Sequence, residues 1–250
     1  MALLAIDVGN TQTALGLFDG TDLVEYRRAA TEPARTGDEL GVLLRNLLDL
    51  DGLEGIILAS SVPQLLRAYE EVADGIGAEI LILSPGTRTG MPIRYENPAE
   101  VGADRIVNAV AAVHRFGAPV LVLDFGTATT FDVVSAKGEY LGGVIAPGLG
   151  ISAEALFVRA ARLMRVDVKK PDRIIGRTTE ESVQAGLFHG YVALVEGLVR
   201  RLRAELGVEA PVVATGGLAT VFQAELSFLA AVDPHLTLQG LRLLWDKNHR

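Results

Sequence analysis

Cysteine is absent from the 250 residues, so neither a disulfide framework nor thiolate chemistry enters the reading. No apolar run approaches the ~20 residues that a membrane-spanning helix needs. The opening Met-Ala-Leu-Leu-Ala-Ile-Asp has no basic stretch and meets an acid at position 7, unlike a signal peptide. Positive charge is scarce: 23 Lys and Arg stand against 31 Asp and Glu, for a net charge of -8 and a pI near 5.1. Such a surface repels phosphate backbones, so nucleic acid is not an expected partner, although local basic groups can still hold a small anion. The expectation is a soluble cytoplasmic protein with no membrane association.

What is present fits a globular chain. Half the residues are apolar (49%), 22% are charged and 27 are glycine, enough for a sizeable core, many tight turns and no long disorder. The length allows one large domain or two ordinary ones. Residues 2–6 form a short apolar run that ends at Asp7 and a turn, Gly9-Asn10-Thr11. A second strand, Thr13 to Phe18, stops at Asp19-Gly20, a hairpin signal, and a third covers 22–28. Helices are predicted at 38–50 and 63–74, and strands at 55–60 and 79–83. Residues 84–102, rich in Pro, Gly, Arg and Thr, read as a long loop, and loops of that length in a compact domain are functional or disordered. A helix at 103–115 carries Ile106, Val107, Val110 and Val113 on one face, and Phe116-Gly117-Ala118-Pro119 breaks it.

The pattern then begins again. An apolar strand at 119–123 ends at Asp124, with Gly126-Thr127 after it, a second strand at 129–135, a turn at Lys137-Gly138 and a third strand from Tyr140. Asp124-Phe125-Gly126-Thr127 matches Asp7-Val8-Gly9-Asn10-Thr11 at a distance of 117 residues, too long for a solenoid and suited to a duplicated domain. The second half adds helices at 152–164, 179–206 and 238–247, and a strand at 211–215 ending in Gly216-Gly217. The expected architecture is therefore α/β, two duplicated halves covering 1–116 and 117–250, each opening on a three-strand meander.

An acid–glycine turn at a strand tip suits phosphate, because glycine lets backbone N–H groups close on an anion and the acid can hold Mg²⁺ through water. Asn10, Thr11, Gln12 and Thr13 add donors. The competing reading is a plain hairpin. Two matched copies favour the phosphate reading. Ala214-Thr215-Gly216-Gly217 removes side chains where a flat adenosine can lie, although a simple strand-to-helix connection has the same composition. Asp104 opens a helix, so it serves either as an N-cap with Arg105 as a surface partner, or as a base beside an anion-binding Arg. Thr178-Thr179-Glu180-Glu181 is a capping box; if Thr178 caps, Thr179 is free to face a ligand. Leu187, Tyr191, Leu194, Leu198 and Leu202 give the long helix an apolar stripe for an interface or for the internal core. The histidines at 114, 189, 235 and 249 share no ligand spacing and read as surface residues.

Together, Asp7-Val8-Gly9-Asn10-Thr11, Asp124-Phe125-Gly126-Thr127 and Thr215-Gly216-Gly217 resemble the two phosphate motifs and the adenosine motif of the actin, Hsp70 and sugar kinase superfold. In that superfold (ribonuclease H-like halves) ATP lies in a cleft between the two. Tyr95-Glu96-Asn97-Pro98, Val101-Gly102-Ala103-Asp104-Arg105 and Thr179-Glu180-Glu181-Ser182-Val183-Gln184-Ala185-Gly186 resemble type III pantothenate kinase, over essentially the whole chain. The resemblance implies phosphorylation of pantothenate by ATP with Mg²⁺, as the first step of coenzyme A biosynthesis. It implies ATP contacts at Asp7, Val8, Gly9, Asn10, Thr11, Gln12, Thr13 and Thr127, a base at Asp104, and pantothenate contacts at Tyr95, Gly102, Ala103, Arg105 and Thr179. It also implies a monovalent cation, K⁺ or NH₄⁺, at Asp124, and a homodimer. Another small-molecule kinase of the superfold, or a non-catalytic ATP-binding regulator, remains open at this point. Asp104-Arg105 favours catalysis, since a regulator needs no base beside an anion-binding Arg.

Overall fold

A computed structural model describes residues 2–160 and 165–249. The chain divides into two compact units: residues up to 115 together with those from 235 onward, and residues 116–234. In the first unit β1 (Ala2–Val8), β2 (Gln12–Asp19) and β3 (Asp22–Ala30) form the antiparallel meander. After α1 (Gly37–Leu47), β4 (Leu53–Ser60) pairs parallel to β1; after α2 (Leu66–Ile76), β5 (Glu79–Ile82) pairs parallel to β4. The order is β3-β2-β1-β4-β5.

Both faces of β1 are covered, which is why its sequence is almost continuously apolar. Leu4, Ile6 and Val8 bury against α1 and α2. Leu3 and Ala5 bury on the opposite face, against α3 (Ala103–Phe116) and α7 (Leu236–Asn248). Alternation places Asp7 on the α3–α7 face, at the end of the strand. Between β5 and α3 the loop 84–102 holds a 3₁₀ turn, Pro98–Glu100, where the Asn97 Oδ1 accepts from the Ala99 N–H at 3.3 Å.

The second unit repeats this plan with β6 (Val120–Phe125), β7 (Ala128–Val134), β8 (Tyr140–Pro147), β9 (Val212–Thr215) and β10 (Leu229–Val232), in the order β10-β9-β6-β7-β8. Its helices are α4 (Leu149–Arg159), α5 (Thr179–Leu206) and α6 (Ala219–Phe222). The expected duplication is thus present strand by strand: β6 stands where β1 does, and β9 where β4 does. The core packs Leu121, Leu123 and Phe125 of β6 against Phe188, Tyr191 and Val195 of α5 and Phe222 of α6.

Two expectations change, and two short elements are new. Residues 238–247 were grouped with the second half, but α7 buries Leu238, Leu241, Leu244 and Trp245 against the first sheet, beside α3. The helix expected at 152–164 starts at Leu149, one residue after an extended Gly148; positions 161–164 lie outside the described residues. Helix α6 and strand β10, four residues each, are too short to leave a periodic signal. On α5, Leu187, Leu198 and Leu202 pack on the second core, so the internal reading of that stripe holds, while Leu194 stays 37% exposed.

Candidate active site

The two acid–glycine turns have corresponding geometry. The Gly9 N–H donates to the Gln12 carbonyl at 3.1 Å, and the Gly126 N–H to the Ala128 carbonyl at 3.1 Å. Each threonine within the turn offers its carbonyl to the residue just beyond the third strand: Thr31 N–H to Thr11 O at 3.0 Å, and Gly148 N–H to Thr127 O at 3.1 Å. In the ladders Val8 pairs with Thr13, and Phe125 with Thr129. Thr11 therefore corresponds to Thr127 and Thr13 to Thr129, and Asn10 is the one residue the first turn has in excess. Asn10, Thr11 and Gln12 are exposed. Val8 and Thr13 are not so placed. Val8 is fully buried, and the Thr13 hydroxyl (5% exposed) points inward to Thr31 at 2.9 Å, leaving Val8 only its backbone to offer.

Asp7 carries its charge beside Tyr26. Burial pushes the Tyr26 hydroxyl up, Arg28 opposes that, and the Asp7 carboxylate adds to the rise. The Tyr26 ring meets His235 edge-on at 4.5 Å. Tyr26 was not singled out from sequence, and the surface reading of His235 is corrected: the ring is half-buried, because the return of α7 to the first sheet brings it there.

In the second unit, glycines let the backbone close around Asp124. A Cβ on Gly216, whose φ is +89°, would lie 2.4 Å from Asp124 Oδ1. A Cβ on Gly148 would lie 2.3 Å from the Thr127 carbonyl oxygen. Thr127 is exposed at the tip, and Asp124 is half-buried one residue before the end of β6 rather than beyond the strand. Asp124 pairs with Thr215 across the parallel β6–β9 ladder, so the second phosphate-type turn and the Thr215-Gly216-Gly217 segment are adjacent.

The remaining candidates sit at two helix starts and in the loop before α3. Tyr95 lies in the long loop at 36% exposure. The Gly102 carbonyl accepts from the N–H groups of Arg105 (3.1 Å) and Ile106 (3.3 Å), so Gly102 holds the cap position of α3. Ala103 is the first helical residue and Asp104 the second, half-buried in the first turn; the N-cap reading of Asp104 is therefore corrected. A Cβ on Gly102 would lie 2.5 Å from Asp104 Oδ1, so glycine leaves that carboxylate its place. Arg105 is not a surface partner either, being only 7% exposed. In the second unit the Thr178 Oγ1 accepts from the Glu181 N–H at 3.1 Å, and Glu181 Oε2 accepts from the Arg177 N–H at 2.7 Å, one residue earlier than a reciprocal box requires. Thr179, relieved of capping, lines an open cavity of about 840 Å³ with Ser152, Leu156, Gly176, Arg177 and Ser182. Among the described residues no three His, Asp or Glu side chains cluster as a metal site, and no helix is long and apolar enough to cross a membrane.

Two sheets of one topology, each tipped by an acid and a glycine turn at its first strand, define a protein of the actin-like ATPase class. An inorganic polyphosphate/ATP-glucomannokinase from Arthrobacter sp. strain KM shares this fold, with a TM-score of 0.54 and 15% identity over 98% of this chain and 99% of that one. A family model described as type III pantothenate kinase matches residues 3–201. The type III pantothenate kinase of Moorella thermoacetica is 51% identical over 252 residues, 98% of this chain and 99% of its own. That of Koribacter versatilis is 50% identical over 262 residues, 98% of this chain and 96% of its own. The chain belongs to the type III pantothenate kinase family.

Proposed function

We propose that this protein transfers the terminal phosphoryl group of ATP to the primary hydroxyl of pantothenate, giving 4'-phosphopantothenate and ADP at the entry to coenzyme A synthesis. The observation that carries the residue assignment is the α3 start, where Gly102 caps, Asp104 is left uncommitted by the cap and Arg105 follows directly. The pantothenate hydroxyl attacks the γ-phosphorus, its proton passes to the Asp104 carboxylate, a new O–P bond forms, and the bond to the bridging oxygen of ADP breaks. Transition states of this reaction are loose, so position and charge matter more than the base. Arg105, with Tyr95, Gly102, Ala103 and Thr179, binds pantothenate; the guanidinium is suited to its carboxylate. Asp7 and the Gly9–Gln12 turn hold the phosphates, with Thr127 on the second turn.

Mg²⁺ accompanies ATP, and its fit is chemical: with phosphate oxygens and water supplying most ligands, one or two carboxylates such as Asp7 suffice, and no all-protein cage is needed. Bound there, it neutralises charge on the phosphates. Asp124, in its glycine-lined recess, is the proposed K⁺ or NH₄⁺ ligand. A homodimer is supported by the apolar side chains exposed on edge strand β8 and on α4: Leu141, Ile145, Ile151 and Val158.

The deciding measurement is ADP release from the purified protein with Mg²⁺-ATP and a panel of small hydroxy acids, the product weighed by mass spectrometry. Pantothenate should be phosphorylated well ahead of sugars, acetate-like acids and polyphosphate. Turnover of another acceptor in its place overturns the substrate assignment, and nucleotide binding without turnover overturns the enzymatic one.

A further inference from the structure

Beneath each phosphate turn, on the sheet face opposite the acid, stands a buried tyrosine. In the first unit the Thr13 hydroxyl bonds Thr31 at 2.9 Å and faces the Tyr69 hydroxyl. Tyr69 comes from α2 and is 2% exposed. In the second unit Thr129, fully buried, shares a short hydrogen bond with Tyr191 of α5, itself 6% exposed. The two threonines correspond: each pairs across the ladder with the residue that follows the acid, Val8 in one case and Phe125 in the other. The two tyrosines do not correspond. One sits on the helix between β4 and β5, the other on the helix that precedes β9. The same contact is thus built twice from different helices, which inheritance from the duplicated ancestor does not explain.

Each contact lies where a ligand's demand for precision is highest. Thr13 immediately follows Gln12, whose carbonyl closes the first turn, and Thr129 follows Ala128, whose carbonyl closes the second. Thr31, the third member of the first cluster, sends its N–H to Thr11 within the turn. Displacing either threonine therefore moves the carbonyl that shapes the turn. Burial pushes the Tyr69 hydroxyl up to about 12 and raises that of Tyr191 as well, so both stay neutral and keep a proton for the bond. A phosphate cradle acts through backbone N–H groups aimed within a few tenths of an ångström, and such groups are held by the layer behind them.

We propose that Tyr69 and Tyr191 are positioning residues for the nucleotide: through Thr13 and Thr129, each fixes one of the two turns that hold the phosphates. The proposal rests on reading those turns as phosphate sites, and its test is kept apart from pantothenate turnover. Calorimetry with the β,γ-imido analogue of ATP, in Mg²⁺, needs no acceptor. Tyr69→Phe and Tyr191→Phe should each weaken binding roughly five- to tenfold, the scale of one lost hydrogen bond. Thr13→Ser and Thr129→Ser, which keep the hydroxyl, should bind nearly as the parent does. Tyr140→Phe is the control, since that tyrosine is fully buried and donates to Asp132 at 2.7 Å from the far end of β8. It should lower the melting temperature and leave nucleotide affinity unchanged. If the Tyr69 and Tyr191 variants lose thermal stability as Tyr140→Phe does, with nucleotide affinity intact, the positioning role is wrong and the bonds are structural. A parent protein that binds the analogue but ignores pantothenate would instead count against the acceptor alone.

Discussion

Gly216 lies against Asp124 so closely that a Cβ on the glycine would stand 2.4 Å from the carboxylate Oδ1 and 2.7 Å from the Phe125 backbone nitrogen. Its φ of +89° is in addition one that side-chain-bearing residues rarely adopt. Gly216→Ala should therefore cost at least about 2 kcal/mol, from backbone strain and overpacking together. Gly197→Ala, on α5 with open space at its Cβ, should instead stabilise by about 0.5–1 kcal/mol. Urea unfolding of the two variants checks both signs.

The recess made by Gly216 and Asp124 is the proposed seat of the monovalent cation. Activity in sodium-only buffer should fall well below activity in potassium or ammonium at equal ionic strength. Asp124→Asn should erase that difference while circular dichroism stays native. Equal rates for the parent protein in all three salts would remove the cation from Asp124.

Asn248 fastens the start of the long loop that carries Tyr95. Its Oδ1 accepts from the Arg88 N–H at 3.2 Å, and its Nδ2 donates to the Arg88 carbonyl at 3.1 Å and to the Leu244 carbonyl at 2.7 Å. Asn248→Ala releases that end of the loop and should raise KM for pantothenate roughly three- to tenfold, with KM for ATP nearly unchanged. Steady-state kinetics with each substrate varied in turn would show it. An unchanged pantothenate KM would mean that the loop holds its shape without α7.

His249 adds a pH-dependent tie beside it. Its imidazole stacks on Trp245 at 3.7 Å and reaches the Trp245 carbonyl and Glu79 Oε1, each at 2.9 Å. Burial alone would lower its pKa, but the Trp245 carbonyl, Glu79 and Asp246 outweigh that and raise it. A raised folded value means stability present in full below the unfolded value, about 6.5, and lost as the pH rises through the folded one. The melting temperature should thus exceed that of Glu79→Gln most clearly at about pH 6 and below. The gap should close as the pH climbs, and shrink in high salt because Glu79 is largely exposed. A constant gap would show that the pair is not what titrates.

These cases mark what a linear reading can see. The strand–Asp–Gly–strand pattern of β1–β2 and β6–β7 is local, a few residues wide, and survives in the sequence as an apolar run that ends in an acid and a glycine turn. The one-residue excess at Asn10 is not visible there, because only the ladder register shows that Thr13 answers to Thr129 and not to Thr130. The Thr13–Tyr69 contact joins residues on different elements with no spacing rule between them. For α7 the apolar stripe announces a buried helix without saying which sheet it covers. The surface-partner alternative for Arg105 fails because charge argues for the surface, whereas the first turn of α3 carries this residue inward.

The start of α3 gives the sharpest test of chemistry. Because Gly102 holds the cap, Asp104→Asn leaves the cap intact and removes only a first-turn charge, worth about 0.3–1 kcal/mol against the helix dipole. The variant should fold normally. If Asp104 takes the hydroxyl proton, kcat should drop by the ~10²–10⁴ typical of a lost general base, and a loose transition state favours the lower end. Arg105→Ala should act on binding, raising KM for pantothenate while ATP affinity holds. Since Arg105 is buried, this variant also risks stability, so Arg105→Lys is the companion: it keeps a charge but loses the planar fork, and should show the same KM defect in a well-folded protein. Measuring kcat and KM for all three against pantothenate separates the roles. A wild-type kcat in Asp104→Asn would mean that positioning and phosphate charge carry the transfer without this carboxylate. A kcat defect with unchanged KM in Arg105→Lys would move the guanidinium from the substrate carboxylate to the transferring phosphoryl group.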